Sequence, residues 1–549
     1  MKHWRLFLLL ILCGSLAGCS ISHETETPSD SKGVMTKHQV VNLASTQPIR
    51  TLDTDKLSQF GRLNNTIEGL YTTANEGQAE LALAKKVTVN AAKTTYTFAL
   101  YHDSYWSNGD VITAKDFVYS WQRALAPKTK APDADLFTGI HNAKPILAGK
   151  LPATQLGVSA PSKFKLVVKL DHPMAELPER LAYPLFGPQN ERVAQKYGAK
   201  YATKPQYQVY GGPFMVATKG YTKTHWHLVP NPHYWDRDHV YLTRINVTVF
   251  KSQKKMWQAY QDGRLDEVHL PFQKDKHLEK QADYTARPYS KMLLLSYRQR
   301  GPKPGVNRLL KQSQARLAIS HAIDRKSLGT TTYGATSLPA QGIVPAGLSR
   351  GQRGTADFAA AQTNQSTLAY NPKLATKEWR SALKQAEISH PTLSLSYLVG
   401  PSTKKVAQRL QQQLTKVLPG LKVTLKAREW TISEQDDEVD TDITLTTQRA
   451  QYADPLSMLA LFTTENAANT GHWSNQTYDD LVAQASNASS FNNRRWQNLL
   501  KAEGILMKYQ GVTPLLQPAS NYLVNPKLNG VQFNTVGTQS NFKGAYFVK

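Results

Sequence analysis

The feature that most narrows the fold of this sequence is the alternation of two hydrophobic periods along a chain with no obvious internal repeat. Val87-Thr88-Val89 and Tyr96-Thr97-Phe98-Ala99-Leu100 alternate apolar and polar residues, with Asn90 and Lys93 between them, which predicts a hairpin. Asn108-Gly109 reads as a turn. Thr113 then reads as the N-cap of a helix through Phe117, Val118, Trp121 and Leu125, with Asp116 near its positive end and Pro127 stopping it. Phe164–Leu170 is a further strand, as is Ile245–Phe250 after the Asn231-Pro232 turn. Gln314–Leu328 carries a helical face of Leu317, Ala318, Ala322, Ile323 and Leu328. Leu393–Leu398, Lys405–Val417 and Leu421–Leu425 follow as strand, helix and strand, so the later half is expected to hold a parallel or mixed sheet. The fold class is therefore α/β, in more than one lobe. A length of 549 residues suggests about three to four domains.

The N-terminus bears on compartment. Lys2 and Arg5 precede an unbroken apolar run, Leu6–Leu12. That run is far shorter than the roughly 20 residues of a bilayer-spanning helix, and residues 1–18 read as a secretory signal peptide. The run is followed by Leu16-Ala17-Gly18-Cys19, which resembles the bacterial lipoprotein signal. The resemblance implies cleavage before Cys19 and acylation of its sulfur. Cys13, the other of two cysteines, leaves with the signal peptide, so no disulfide is expected. Residues 19–36 supply the lipidated Cys19 and a Ser-, Thr-, Glu- and Pro-bearing tether. No later stretch is apolar enough over eighteen residues to span a membrane. The expected location is the extracellular face of a cell membrane, lipid-anchored, in an envelope of Gram-positive type.

Charge excludes less than it suggests. Sixty-six Lys and Arg against 41 Asp and Glu give +25, and losing Lys2 and Arg5 leaves 25 − 2 = +23. These cations are scattered, with only a modest concentration over Arg298–Arg316, and no nucleic-acid recognition motif accompanies them. Export also argues against nucleic acid, so a basic surface in an anionic envelope is the simpler account. The acidic stretch from Asp436 to Asp442 lacks the glycine turn and ligand spacing of a calcium loop and reads as a loop leading into a strand. There is no G-x-S-x-G, H-E-x-x-H, P-loop or G-x-G-x-x-G, and Ser402-Thr403-Lys404-Lys405 matches a bare S-x-x-K without companion motifs. No catalytic residue, metal site or cofactor is expected.

One region is specific. Tyr96–Pro127 carries Trp106-Ser107-Asn108-Gly109-Asp110 and then Asp116-Phe117-Val118-Tyr119-Ser120-Trp121. It strongly resembles the extracellular solute-binding proteins, family 5, that serve bacterial oligopeptide ABC importers. Further echoes follow in the family's order: Leu52-Asp53, Glu68-Gly69-Leu70, Gly211-Gly212-Pro213-Phe214, Asn231 to Asp236, Arg316 to Arg325, and Tyr452-Ala453-Asp454-Pro455. The resemblance implies a two-lobed, three-domain periplasmic-binding-protein-like fold of class II, with mixed sheets, closing by a hinge. Domain I would comprise 37–55, 186–286 and 517–549, domain II 56–185, and domain III 287–516. The motif aromatics Trp106, Phe117, Trp121 and Trp235 are read as core packing, and Gly211-Gly212 as a backbone conformation other residues resist.

The resemblance also implies a ligand: a peptide held mainly by its main chain between lobes I and III, then passed to ABC permease subunits by a monomeric receptor. In the family, W-x-A-D-Y-x-[DE]-P supplies an Asp for the peptide's α-ammonium. Here Gln448 stands at the Trp position and Gln451 at the Asp position. Glutamine accepts a hydrogen bond but cannot neutralise a charge. Either another acid serves, Asp454 being nearest in sequence, or the N-terminus is bound differently, or the ligand is not an ordinary free-amine peptide. The candidate ligand-binding residues are Trp430, Arg449, Gln451, Tyr452 and Asp454. Alternatives are a specialised receptor of the same fold for a signalling peptide, modified peptide or cell-wall fragment, and a basic surface adhesion protein.

Overall fold

The computed structural model describes residues 34–57, 60–74, 77–270, 278–288, 290–334, 336–351, 356–429, 441–534, 536 and 540–549. Cys19, most of the tether, Trp430 and residues 436–440 of the acidic stretch lie outside the described residues.

The largest sheet is mixed. Val40–Ser45 pairs in parallel with Arg244–Val249 on one side and Glu267–His269 on the other. His225–Pro230 and Phe214–Val216 continue one edge antiparallel, while Ala519–Val524 and Tyr284–Pro288 continue the other. Alternation sets which face is buried: Val41 and Leu43, then Ile245 and Val247, turn inward and their neighbours do not. A parallel pair needs a crossover connection. Here the chain between Ser45 and Arg244 supplies it, and that connection contains a whole further sheet.

That inserted sheet is antiparallel, in the order Ala84–Val89, Thr95–Leu100, Lys165–Lys169 and Val158–Ser162. It includes the expected hairpin. The helix Ala114–Leu125 packs on it, opened by a capping box between Thr113 and Asp116 in which Thr113 N–H donates to the Asp116 carboxylate at 2.7 Å. Phe117 and Trp121 are fully buried, the Trp121 ring meets Phe137 and Phe186 edge-on, and its Nε1 donates to the Phe186 carbonyl at 3.0 Å. Trp106 is buried as expected. Trp235 is only half-buried, stacking on Tyr101 at 5.1 Å.

The third sheet has six strands, ordered Leu338–Pro339, Val512–Gln517, Lys291–Tyr297, Ile443–Arg449, Thr392–Leu398 and Lys422–Arg428. The last three run parallel, with Pro401–Val417 as the crossover helix, and the rest pair antiparallel. The mixed sheet expected for the later half is therefore present. Lys291–Tyr297 carries no alternation because both its faces are covered. Leu293, Leu295 and Tyr297 join a core with Trp379 and Leu410, whereas Met292 and Leu294 join another with Phe358 and Tyr478.

Two local expectations need correction. The continuous helix over Gln314–Leu328 is two helices, Ser313–His321 and Arg325–Thr332. Asp324 takes extended backbone angles and its carboxylate caps Ser327 N–H at 3.0 Å, while the buried Arg325 guanidinium binds the Pro514 and Leu368 carbonyls at 2.8 and 2.7 Å. Gly212 is required by proximity, not by an unusual φ: a Cβ there would lie 2.5 Å from the Thr66–Ile67 backbone.

Candidate functional site

The strand Ile443–Arg449 ends opposite Lys291, and the chain leaves the six-stranded sheet there. Ala450, fully buried, donates its N–H to the Ser290 carbonyl at 2.8 Å, and Gln451 N–H is held by Ser457 Oγ at 2.9 Å. Those two bonds fix the direction in which the next side chains project. Gln451, Tyr452 and Ala453 meet the body built on the inserted sheet, whereas Asp454 turns back to Arg495.

The Gln451 Nε2 donates to Asp133 Oδ1 at 3.2 Å. Tyr452 enters the core formed by residues between Phe60 and Phe186, its ring under the Arg180 guanidinium at 4.9 Å, and its hydroxyl accepts from Arg180 Nη2 at 3.2 Å. Burial pushes the Tyr452 hydroxyl's pKa well above its usual range. Ala453 lies against Gly77, where an added Cβ would stand 2.8 Å from the Ala453 methyl and φ is +80°. Asp454, fully buried, receives both terminal nitrogens of Arg495 at 2.8 and 2.9 Å. Arg495 also reaches Glu176 at 3.2 Å, and Glu176 in turn accepts from Arg180 at 3.1 Å.

Of the five sequence-derived candidates, Arg449, Gln451, Tyr452 and Asp454 are thus brought to one seam. Their environments differ. Asp454 has an internal cation and also caps Leu456 N–H at 2.9 Å, so its carboxylate is engaged within the protein. Tyr452 is held in a core. Gln451 and Arg449 are half-buried.

Asp133 was not singled out by sequence. It is 8% exposed and accepts from Tyr183 O–H at 2.7 Å as well as from Gln451. Burial raises its carboxyl to about 6, against the lowering effect of the Tyr183 bond and of Arg449 nearby. Burial, then Arg449, brings Lys291 down to about 8. Glu176, Arg180 and Arg495 were missed too. Glu176 and Arg180 pair at a helical i,i+4 spacing, but the local pattern gives no signal that they meet Arg495 and Tyr452, which lie on distant parts of the chain.

Two cavities form elsewhere among the described residues. One, of about 460 Å³, lies beside the six-stranded sheet between Met292, Leu338, Leu368 and Gln517. The other, of about 300 Å³, lies by Glu68, Thr73, Asp236 and Lys543. Neither is lined by Arg449–Asp454. Among the described residues there is no cluster of three or more His, Cys, Asp or Glu arranged to hold a metal, and no helix long and apolar enough to cross a membrane.

A mixed-sheet body and an antiparallel-sheet body meeting along a polar seam give a two-lobed architecture. A sequence profile of the bacterial extracellular solute-binding proteins, family 5 Middle, matches residues 78–470, and the chain belongs to this family of substrate-binding proteins of transport systems, not of enzymes. The dipeptide-binding protein of Lactococcus lactis subsp. cremoris is 30% identical over 552 residues, covering 98% of this chain and 96% of that protein. Listeria monocytogenes OppA bound to peptide superimposes with a TM-score of 0.78 at 30% identity, over 94% of this chain and all of that one. The pheromone receptor PrgZ, solved for its mode of peptide binding, gives the same TM-score and identity over 93% of this chain. The two-lobed mixed α/β fold expected from sequence is the fold these structures share.

Proposed function

We propose that this protein captures oligopeptides between its lobes and delivers them to the permease of an ABC importer. Lipid on Cys19 would hold it, as a monomer, at the extracellular face of the cell membrane. The observation that carries the reading is the likeness over nearly the whole chain to a dipeptide-binding protein and to a peptide-bound solved structure. The seam at Arg449–Tyr452 supports the location of the ligand, because it is where strand ends of one body face the other. The seven-stranded sheet gathers strands from residues 40–45, 214–288 and 519–524. This supports a domain I assembled from 37–55, 186–286 and 517–549, around domains II (56–185) and III (287–516).

Mass spectrometry of material released by mild denaturation from protein lacking residues 1–19 tests the reading. A mixed population of short peptides is expected. A preparation that neither carries peptides nor takes up any from a protein digest refutes peptide capture. Gln451 favours one second reading, a receptor for a single signalling or modified peptide, which would release one species only. Anchoring is checked separately: palmitate labelling of the full chain is expected to vanish in Cys19→Ser.

A further inference from the structure

Not every carboxylate at the seam has a charged counterpart in direct contact. Asp454 and Glu176 both meet arginine within 3.2 Å. Asp133 does not: its two hydrogen bonds come from a phenol and a carboxamide, both neutral. Among the described residues no lysine or arginine comes within ion-pair distance of it, and Arg449 acts on it only at longer range. A buried carboxylate in that position is stabilised incompletely, because neutral donors supply hydrogen bonds but no opposite charge to offset its desolvation. The weaker of its two bonds, 3.2 Å from Gln451 Nε2, joins the two bodies. That amide occupies the place of an N–H donor on Asp133, and the side chain that carries it is half-buried and makes no second hydrogen bond among the described residues.

We propose that Asp133, presented from the inserted-sheet body, is the carboxylate that receives the α-ammonium of a bound peptide, with Gln451 a neutral positioning partner. The incoming ammonium displaces the Gln451 amide from Asp133. It turns a neutral contact into an ion pair, and the Gln451 carbonyl is left free to accept another of its three N–H groups. The negative charge that position 451 lacks is thus supplied from across the seam, not by Asp454, whose oxygens are taken by Arg495 and Leu456. Binding would then draw the two bodies together around the ligand's N-terminus. This inference rests on the peptide-capture reading.

A casein digest serves as the probe, before and after acetylation of its amines, with bound peptides quantified by mass spectrometry on unliganded protein lacking residues 1–19. Wild type is expected to retain free-amine peptides and to discriminate against acetylated ones. Asp133→Asn is expected to lose about ten- to a hundredfold in free-amine retention, the range for a hydrogen bond to a charged group, with acetylated peptides unchanged. Asp133→Asn/Gln451→Asp returns one carboxylate to the same gap from the other side and is expected to recover free-amine binding. It also decides the matter if the single variant is unfolded by circular dichroism. Equal retention of free-amine peptides by wild type and Asp133→Asn overturns the proposal while leaving peptide capture intact, as does an equal loss of both peptide classes unrestored by the double variant. No retention of any peptide by wild type removes the peptide reading and this inference with it.

Discussion

Replacing Arg495 by methionine tests the physical account of the seam most directly. The guanidinium is 3% exposed and makes four hydrogen bonds: one to the Ala485 carbonyl at 2.9 Å, two to Asp454, and one to Glu176. Burial works against its charge, yet Asp454 and then Glu176 push its pKa above the ordinary arginine value. Methionine fills much of the same volume but leaves Asp454 and Glu176, both fully buried, with one cation fewer between them. Removing one partner of a buried pair costs about 3–5 kcal/mol, most of it the uncompensated charge left behind. Urea unfolding at pH 7 should show that loss in Arg495→Met. If the loss is electrostatic, Arg495→Met/Asp454→Asn should be more stable than the sum of the single losses by about 1–3 kcal/mol. A loss below about 1 kcal/mol, or strict additivity, would refute the reasoning, because either shows that solvent or rearrangement already compensates these charges.

Three other outcomes follow from individual contacts. Trp379→Ala, at a fully buried indole whose Nε1 donates to the Pro419 carbonyl at 3.1 Å, should cost about 3–5 kcal/mol in denaturant unfolding. Thr113→Ala removes one half of the capping box and should cost about 1 kcal/mol without altering ligand affinity measured by calorimetry. Glu503 sets a pH dependence. Burial raises its carboxyl from 4.5 to about 7, although the Val344 and Ile343 N–H groups oppose the rise. Between those values the folded protein holds a proton that the unfolded chain releases, so this group's contribution to stability falls as pH rises from about 4.5 to 7 and is flat above. Unfolding midpoints measured across that window should show Glu503→Gln losing a slope worth at most about 3 kcal/mol.

Part of the sheet content was legible where it depends on neighbours in sequence, whereas strands such as Val40–Ser45, Lys291–Tyr297 and Val512–Gln517 were not read from the sequence. The hairpin over Ala84–Leu100, the Thr113 cap and the strand–helix–strand unit from Thr392 to Arg428 each follow from periods of 2 and 3.6 and from single turn or cap residues. The break at Asp324 was not legible. The apolar face continues through it, and the residue that turns the chain does so with the help of Arg325 bonding to carbonyls 43 and 189 positions away. The strand Lys291–Tyr297 shows the same limit from the other side, since its lack of alternation means burial on two faces only once both covering layers are known.

The sequence by itself determined the mixed α/β class, the family, and the segment Arg449–Asp454 as the place to look, since these are written in local composition and in motif order. Which side chains there are engaged within the protein and which stay half-buried was decided only by tertiary structure. Asp454 lies three positions from Gln451 yet is neutralised by Arg495, 41 residues on, while Gln451 meets Asp133, 318 residues back. A carboxylate's role is set by the charges within a few ångströms of it. Long crossovers bring those charges from parts of the chain that no local pattern connects.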